Sequence, residues 1–143
     1  MYVSELLKTK GDEVVTIAPH ASVRDLIALL DEHNIGAVVV SAGAGAVDGI
    51  VSERDIVRRL VSGTEVLDQS VGDIMTAEVR SVLPGDSLPH LMQTMTEHRI
   101  RHVPVVVEGT LAGIVSIGDV VKSRIGELEF ERDQLESYVA GNQ

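Results

Sequence analysis

A chain of 143 residues is one domain long and can bury roughly 68 to 70% of the surface its unfolded form exposes. Hydrophobic residues make up 44% and aromatics only 2%, and 12 Lys plus Arg against 22 Asp plus Glu leave a net charge of −10. The core is therefore aliphatic, and a nucleic-acid partner is not expected, because phosphate binding needs cationic surface and single strands need stacking rings. With no cysteine there is no disulfide framework, no thiolate chemistry and no Cys-ligated zinc.

The first ten residues have no apolar signal core and carry Glu5 early, so secretion is not expected. Residues 14–17 are a candidate strand. After Ser22, the apolar residues Val23, Leu26, Ile27 and Leu30 fall at i, i+3, i+4 and i+7 and predict an amphipathic helix with a Ser N-cap. The β-branched runs 37–40 and 49–52, joined by a Gly-rich segment, predict strand, turn and strand, and a second helix follows Ser52. The most apolar stretch, 35–47, is ended by Asp48 and is well short of the ~20 residues that span a bilayer. A soluble, cytoplasmic protein without membrane association is expected. Residues 62–70 are polar with one Gly and are expected to form a short connection.

The same order then returns. Residues 79–83 are a candidate strand. Ser87 precedes Leu88, Leu91, Met92 and Met95 at helical spacing, with Pro89 in the first turn, where it is tolerated. Runs 103–107 and 113–116 predict two strands, and a helix follows Ser116. Past Ile125 the segment GELEFERDQLESYVAGNQ places Leu128, Leu135 and Tyr138 on one stripe opposite an acidic face. This stretch is expected to extend the second repeat as a helix and to pack on another subunit.

Aligned on itself, the sequence repeats once. Residues 19–41 match 84–106, GIVSERDIV from Gly49 matches GIVSIGDVV from Gly113, and VSELL from Val3 matches VGDIM from Val71. A doubled unit of this length implies two supersecondary modules that cover each other's apolar faces. The expectation is one α+β domain with pseudo-twofold symmetry: two β-α-β-β-α repeats over 3–61 and 71–125, and a C-terminal helical extension over 126–143.

The sharpest recurring element is Ser52-Glu53-Arg54-Asp55 and its copy Ser116-Ile117-Gly118-Asp119. Ser-x-x-Asp before an apolar helix is a capping-box variant. The same geometry offers an anion free amides at a helix N-terminus, and an Asp there can accept both hydroxyls of a ribose. Both roles are compatible. Arg54, Arg58, Arg59, Arg99, Arg101, Lys122 and Arg124 cluster around these elements; Arg101 precedes the buried strand, and its guanidinium suits phosphate. Gly43-Ala44-Gly45 does not continue into G-x-G-x-x-G, and no Walker pattern occurs. His20, His33, His90, His98 and His102 form no H-x-x-x-H pair, so no metal site is expected. No nucleophile signature points to catalysis.

The doubled pattern of VVV or VPV, then G-I-V-S-x-x-D-I/V-V, with a preceding helix ending in E-H-x-I, resembles the tandem cystathionine β-synthase (CBS) domain pair, or Bateman module. The resemblance runs from about Val3 to Ile125. It implies repeats paired through their sheets and two clefts that can hold AMP, ADP, ATP or S-adenosylmethionine as regulatory ligands, with no required cofactor and no enzyme activity. Carried over by motif, Asp119 and Asp55 match the ribose-holding aspartate, and Ser116 and Ser52 the residue beside the phosphate. Val103, Pro104 and Val105, and in the first cleft Ala37, Val38 and Val39, match the strand that holds the adenine. Val79 falls near the base in the second cleft, and Arg101 and His102 match phosphate-contacting positions. Gly36 and Ala37 replace that pair in the first repeat, so the second cleft is the better phosphate site, while the first is expected to be empty, to bind something less charged, or to use Arg54. A stand-alone module of this kind is expected to be a homodimer that signals to an effector protein. The alternative is a structural or dimerisation module that binds no nucleotide.

Overall fold

The computed structural model describes residues 1–11 and 13–141. In chain order the elements are α1 (Val3–Lys10), β1 (Thr16–Ile17), α2 (Val23–His33), β2 (Ala37–Val40), β3 (Gly49–Ser52), α3 (Glu53–Leu60), a 3-10 helix (Thr64–Asp68), α4 (Val71–Ile74), α5 (Leu88–His98), β4 (His102–Val107), β5 (Thr110–Ser116) and α6 (Ile117–Gly141).

The two long repeat helices start and stop alike. Ser22 Oγ accepts the Asp25 N–H at 3.1 Å, and Ser87 Oγ accepts the His90 N–H at 3.2 Å, which satisfies one orphan donor at each N-terminus. Both helices end in a left-handed residue, Asn34 at φ 51° and Arg99 at φ 53°. The predicted stripes are narrower than expected. Val23, Leu26 and Leu30, and in α5 Leu88, Leu91 and Met95, are buried, while the equivalent Ile27 and Met92 remain 39% and 41% exposed. The expected connection 62–70 contains the 3-10 helix, because Val66 reaches into the first core and tightens the chain around it.

Two sheets carry the strands. In the first, β1 pairs parallel with β2 and β2 antiparallel with β3; in the second, β4 pairs antiparallel with β5. The first strands are shorter than the sequence suggests: β1 has two residues, and its counterpart is a single parallel bridge, Val82 to Val105. The cause is residue 104. At the position of Val39, which pairs with Thr16, the second repeat has Pro104, which has no N–H to donate to the ladder.

The helices at the start of each repeat are exchanged. Val3 and Leu6 of α1 sit in the second core with Val82, Leu91, Val103 and Val115, while Val71 and Ile74 of α4 sit in the first core with Ile17, Leu26, Val38 and Val51. Matched backbone bonds fix both helices. Val3 and Ser4 donate to Asp86 O and Pro84 O, just as Val71 and Gly72 donate to Ala21 O and Pro19 O. Each buried side chain of this size contributes roughly 1.5–3 kcal/mol, so neither core closes without the borrowed helix.

Room for the exchange comes from the glycine of each G-I-V-S run. A Cβ on Gly113 would lie 2.6 Å from Leu7 Cδ2, and one on Gly49 would lie 2.6 Å from Met75 Sδ and 2.8 Å from the Thr76 carbonyl oxygen. The last helix runs from the second repeat without a break: α6 spans 25 residues, roughly 38 Å, and Val120 is its buried anchor. Residues 142 and 143 of the expected extension lie outside the described residues. No helix among the described residues is long and apolar enough to cross a membrane.

These contacts predict unequal costs for the two glycines. Gly113→Ala meets the movable end of Leu7, whereas Gly49→Ala also meets backbone, so Gly49→Ala should destabilise by roughly 1–3 kcal/mol, the usual cost of overpacking, and Gly113→Ala by less. Urea denaturation of the two variants checks the order.

Candidate functional site

The two Ser-x-x-Asp elements form matching boxes at the starts of α3 and α6. Asp55 Oδ2 accepts the Ser52 N–H at 2.8 Å and its hydroxyl at 3.1 Å; Asp119 Oδ2 accepts the Ser116 N–H at 2.8 Å and its hydroxyl at 2.9 Å. Strand register places them. Ala37 stands opposite Ser52 and His102 opposite Ser116, and the Glu53 and Ile117 N–H groups donate to Gly36 O and Arg101 O. The repeats meet beside these boxes, since a Cβ on Gly36 would lie 3.4 Å from Glu53 Oε1 and 3.7 Å from His102 Cε1.

The boxes differ in what surrounds them. Lys10, at the end of α1, donates to Asp119 Oδ2 at 2.8 Å and to the Ile114 carbonyl at 2.7 Å. The equivalent carbonyl, Ile50 O, takes the Thr76 N–H instead. Among the described residues Asp55 has no cationic partner. Burial alone would raise the Asp119 pKa, but the hydrogen bonds from Lys10 and Ser116, together with the Lys10 charge, hold it below its ordinary value. For His102, burial and then the nearby Lys10 charge push the imidazole below its ordinary value of 6.5, so it is neutral at physiological pH.

A cavity of about 310 Å³ lies between the repeats, lined by Arg54 from the first and by Met95, Thr96, Arg99, Ile100, Arg101 and Ile117 from the second. Among the described residues none of its three arginines is paired with a carboxylate. Arg99 holds its place at φ 53°, a left-handed conformation that costs a non-Gly residue roughly 1–2 kcal/mol and that its counterpart Asn34 tolerates better.

The residues expected at the two clefts are thus partly regrouped. Arg101 and Arg54, assigned to different clefts, share one cavity. Val38, Val103 and Val105 turn into the two cores, leaving only backbone for a ligand. By alternation along the strand, Ala37, Val39, His102 and Pro104 face the other way. Val79 is half-buried in the irregular stretch before Val82 and belongs to no strand. Sequence reasoning did not find Lys10, which is far from Asp119 in the chain, or Thr96. Arg99 had a usable signal: a cation at the helix C-cap where the first repeat has Asn.

The His102 surroundings predict a pH dependence. The unfolded chain takes up a proton near 6.5 while the folded state resists, so stability falls as pH drops through that range; the Asp119 contribution is present above 3.8 and is lost only as pH falls through its lower folded value. Thermal melts at about pH 7.5 and about pH 5.5 should show a loss that His102→Gln makes shallower. Parallel slopes in the two proteins would count against the assignment.

Comparison with known proteins agrees with this architecture. The CBS domain family matches residues 3–62 and 71–126. The CBS domain-containing protein CBSX3, mitochondrial, of Arabidopsis thaliana is 37% identical over 97% of this chain and 72% of its own length. The crystal structure of the CBS-domain containing protein ATU1752 from Agrobacterium tumefaciens is 46% identical, covers 87% of this chain and 99% of its own, and superposes with a TM-score of 0.84. The CBS domain protein PAE2072 from Pyrobaculum aerophilum, solved in complex with AMP, is 30% identical over 83% of this chain and 89% of its own, with a TM-score of 0.75. With two matched copies that account for both cores and both Ser-x-x-Asp boxes, the chain belongs to the CBS domain family, as a tandem pair.

Proposed function

We propose that the protein is a regulatory module that binds an adenosine nucleotide between its repeats and signals through conformation to a partner protein. One observation carries this reading: Arg54, Arg99 and Arg101 line a single inter-repeat cavity beside the start of α6, in a chain whose net charge is −10. Unpaired guanidinium groups held together repel one another, and phosphate is the ligand their planar forks suit. The strained backbone of Arg99 is consistent with a residue kept for its charge. The relative PAE2072, which binds AMP, supports the ligand class.

The ribose falls to the boxes. Asp119 Oδ1 and Asp55 Oδ1 make no hydrogen bond among the described residues and are open to sugar hydroxyls, since Oδ2 of each is committed to its serine. Ala37, Val39 and Pro104 are themselves buried, so what β2 and β4 offer the base is their backbone. A ligand switches nothing unless it prefers one arrangement of the repeats or subunits.

The module works as a homodimer through α6. Val121, Ile125, Leu128, Arg132, Leu135 and Val139 follow one another at alternating steps of four and three, the spacing of a coiled-coil seam. The five apolar members are 49–66% exposed. Most helical stability comes from packing of an apolar face, which this seam lacks within one chain among the described residues, and the lone polar seam residue, Arg132, suits a register-setting role.

Titration calorimetry with AMP, ADP, ATP, S-adenosylmethionine and NAD tests the ligand. A phosphorylated adenosine compound should bind, and Arg54→Ala or Arg101→Ala should each weaken it about tenfold or more, the usual loss of a charged hydrogen bond, without lowering the melting temperature of the unliganded protein. Absence of binding by every compound would favour the structural alternative. For the dimer, truncation before Glu127, or Leu128→Glu with Leu135→Glu in the full chain, should lower the mass measured by light scattering; an unchanged mass removes α6 from the interface.

A further inference from the structure

The two boxes are built alike, yet only one is charge-compensated. α4 stops at Ile74, and Met75 leaves it in an extended conformation at φ −65° and ψ 158°, so that Thr76 pairs with Ile50. α1 instead continues as helix to Lys10. That added length carries the ammonium group to the carbonyl of Ile114 and to Asp119 Oδ2.

We infer that Lys10 is the specificity-determining residue of the second cleft and makes it the one that accepts an anionic ligand; this rests on the adenosine-ligand reading above. Among the described residues the three donors reaching the Asp119 carboxylate, from the Ser116 N–H, the Ser116 hydroxyl and Lys10, converge on Oδ2. Lys10 therefore leaves Oδ1 open to a sugar hydroxyl while cancelling the carboxylate charge. A phosphate on the same sugar lies within one Debye length, ~10 Å at 0.1 M salt, of that carboxylate and would otherwise be repelled by it. In the first cleft Asp55 has no cationic partner among the described residues, so the site is suited to a neutral or cationic nucleoside derivative. Lys10 is about one-third exposed and Asp119 about one-quarter, so the pair is open enough for a ligand to approach yet sheltered enough for its charge to be felt.

The test is calorimetric titration of wild type, Lys10→Met and Lys10→Arg with AMP and with adenosine, which differ only in the phosphate. A nearby unit charge, partly screened, alters affinity by about tenfold. Lys10→Met should lose about that much for AMP while adenosine binding changes by less than about twofold, and Lys10→Arg should restore AMP binding. Equal losses for AMP and adenosine would make Lys10 a purely structural support and overturn the inference, as would unchanged AMP binding in Lys10→Met. If wild type binds neither compound, this inference falls, and the ligand reading falls with it only when ADP, ATP, S-adenosylmethionine and NAD also fail to bind; if it binds both and Lys10→Met behaves as wild type, only this inference falls.

Discussion

Val3 and Leu6 close one core and Val71 and Ile74 the other, and this exchange of opening helices is the constraint on which the rest of the molecule depends. A repeat that keeps its own first helix needs nothing from its neighbour. Here the helix that precedes the first repeat completes the second, and the helix that precedes the second completes the first, so the repeats fold as one body. The glycines at 49 and 113 belong to the same constraint, because Met75 and Leu7 lie where a side chain on either would stand. So does the cavity. With both helices in place, Arg54 from one repeat lines the same cavity as Arg99 and Arg101 from the other.

Features set by neighbouring residues were legible in the sequence. Serine caps and the Ser-x-x-Asp boxes rest on spacings of three residues and form as those spacings imply; the helix stripes form too, without Ile27 and Met92. Features set by distant partners were not. The apolar face of α1 announces burial but does not say in which core. The pairing of Lys10 with Asp119 joins opposite ends of the chain, and no local pattern marks it. Pro104 is an intermediate case: its missing N–H could have foretold a weak first strand in the second repeat, but only once its pairing partner was known. The inward turn of Val38, Val103 and Val105 was hidden for a related reason, since a run buried on both faces does not show which side chains belong to which face.

Near-symmetry makes the remaining differences informative. The repeats share strand register, caps and boxes, so a charge present in one and lacking in the other is not needed for folding as such. Lys10, Arg99 and Arg101 are three such charges, and all lie on the second repeat's side of the junction. Arg54 is the first repeat's contribution, and it reaches across to the same cavity. Positive charge is thus gathered toward one cleft by several unrelated backbone positions: a helix end, a left-handed cap and a strand entry. A solvated surface in an acidic protein gives no reason for that convergence, whereas one anionic ligand does.

The same helix links the candidate site to the candidate interface. α6 begins at the Ser116–Asp119 box and runs unbroken to Gly141, and the Ser123 hydroxyl donates to Met1 Sδ at 2.8 Å, tying its second turn to the start of the chain and so to α1. α1 ends in the Lys10 that grips Asp119. Box, α1 and the base of α6 therefore form a closed loop of contacts, and the proposed ligand at Asp119 would press on all three at once. Beyond Gly126 no side chain of the helix is buried among the described residues, which leaves its apolar seam to the proposed second copy. A change of a few degrees at the braced end is magnified along a rod of roughly 38 Å, so the proposed site and the proposed seam need no intervening network to be coupled.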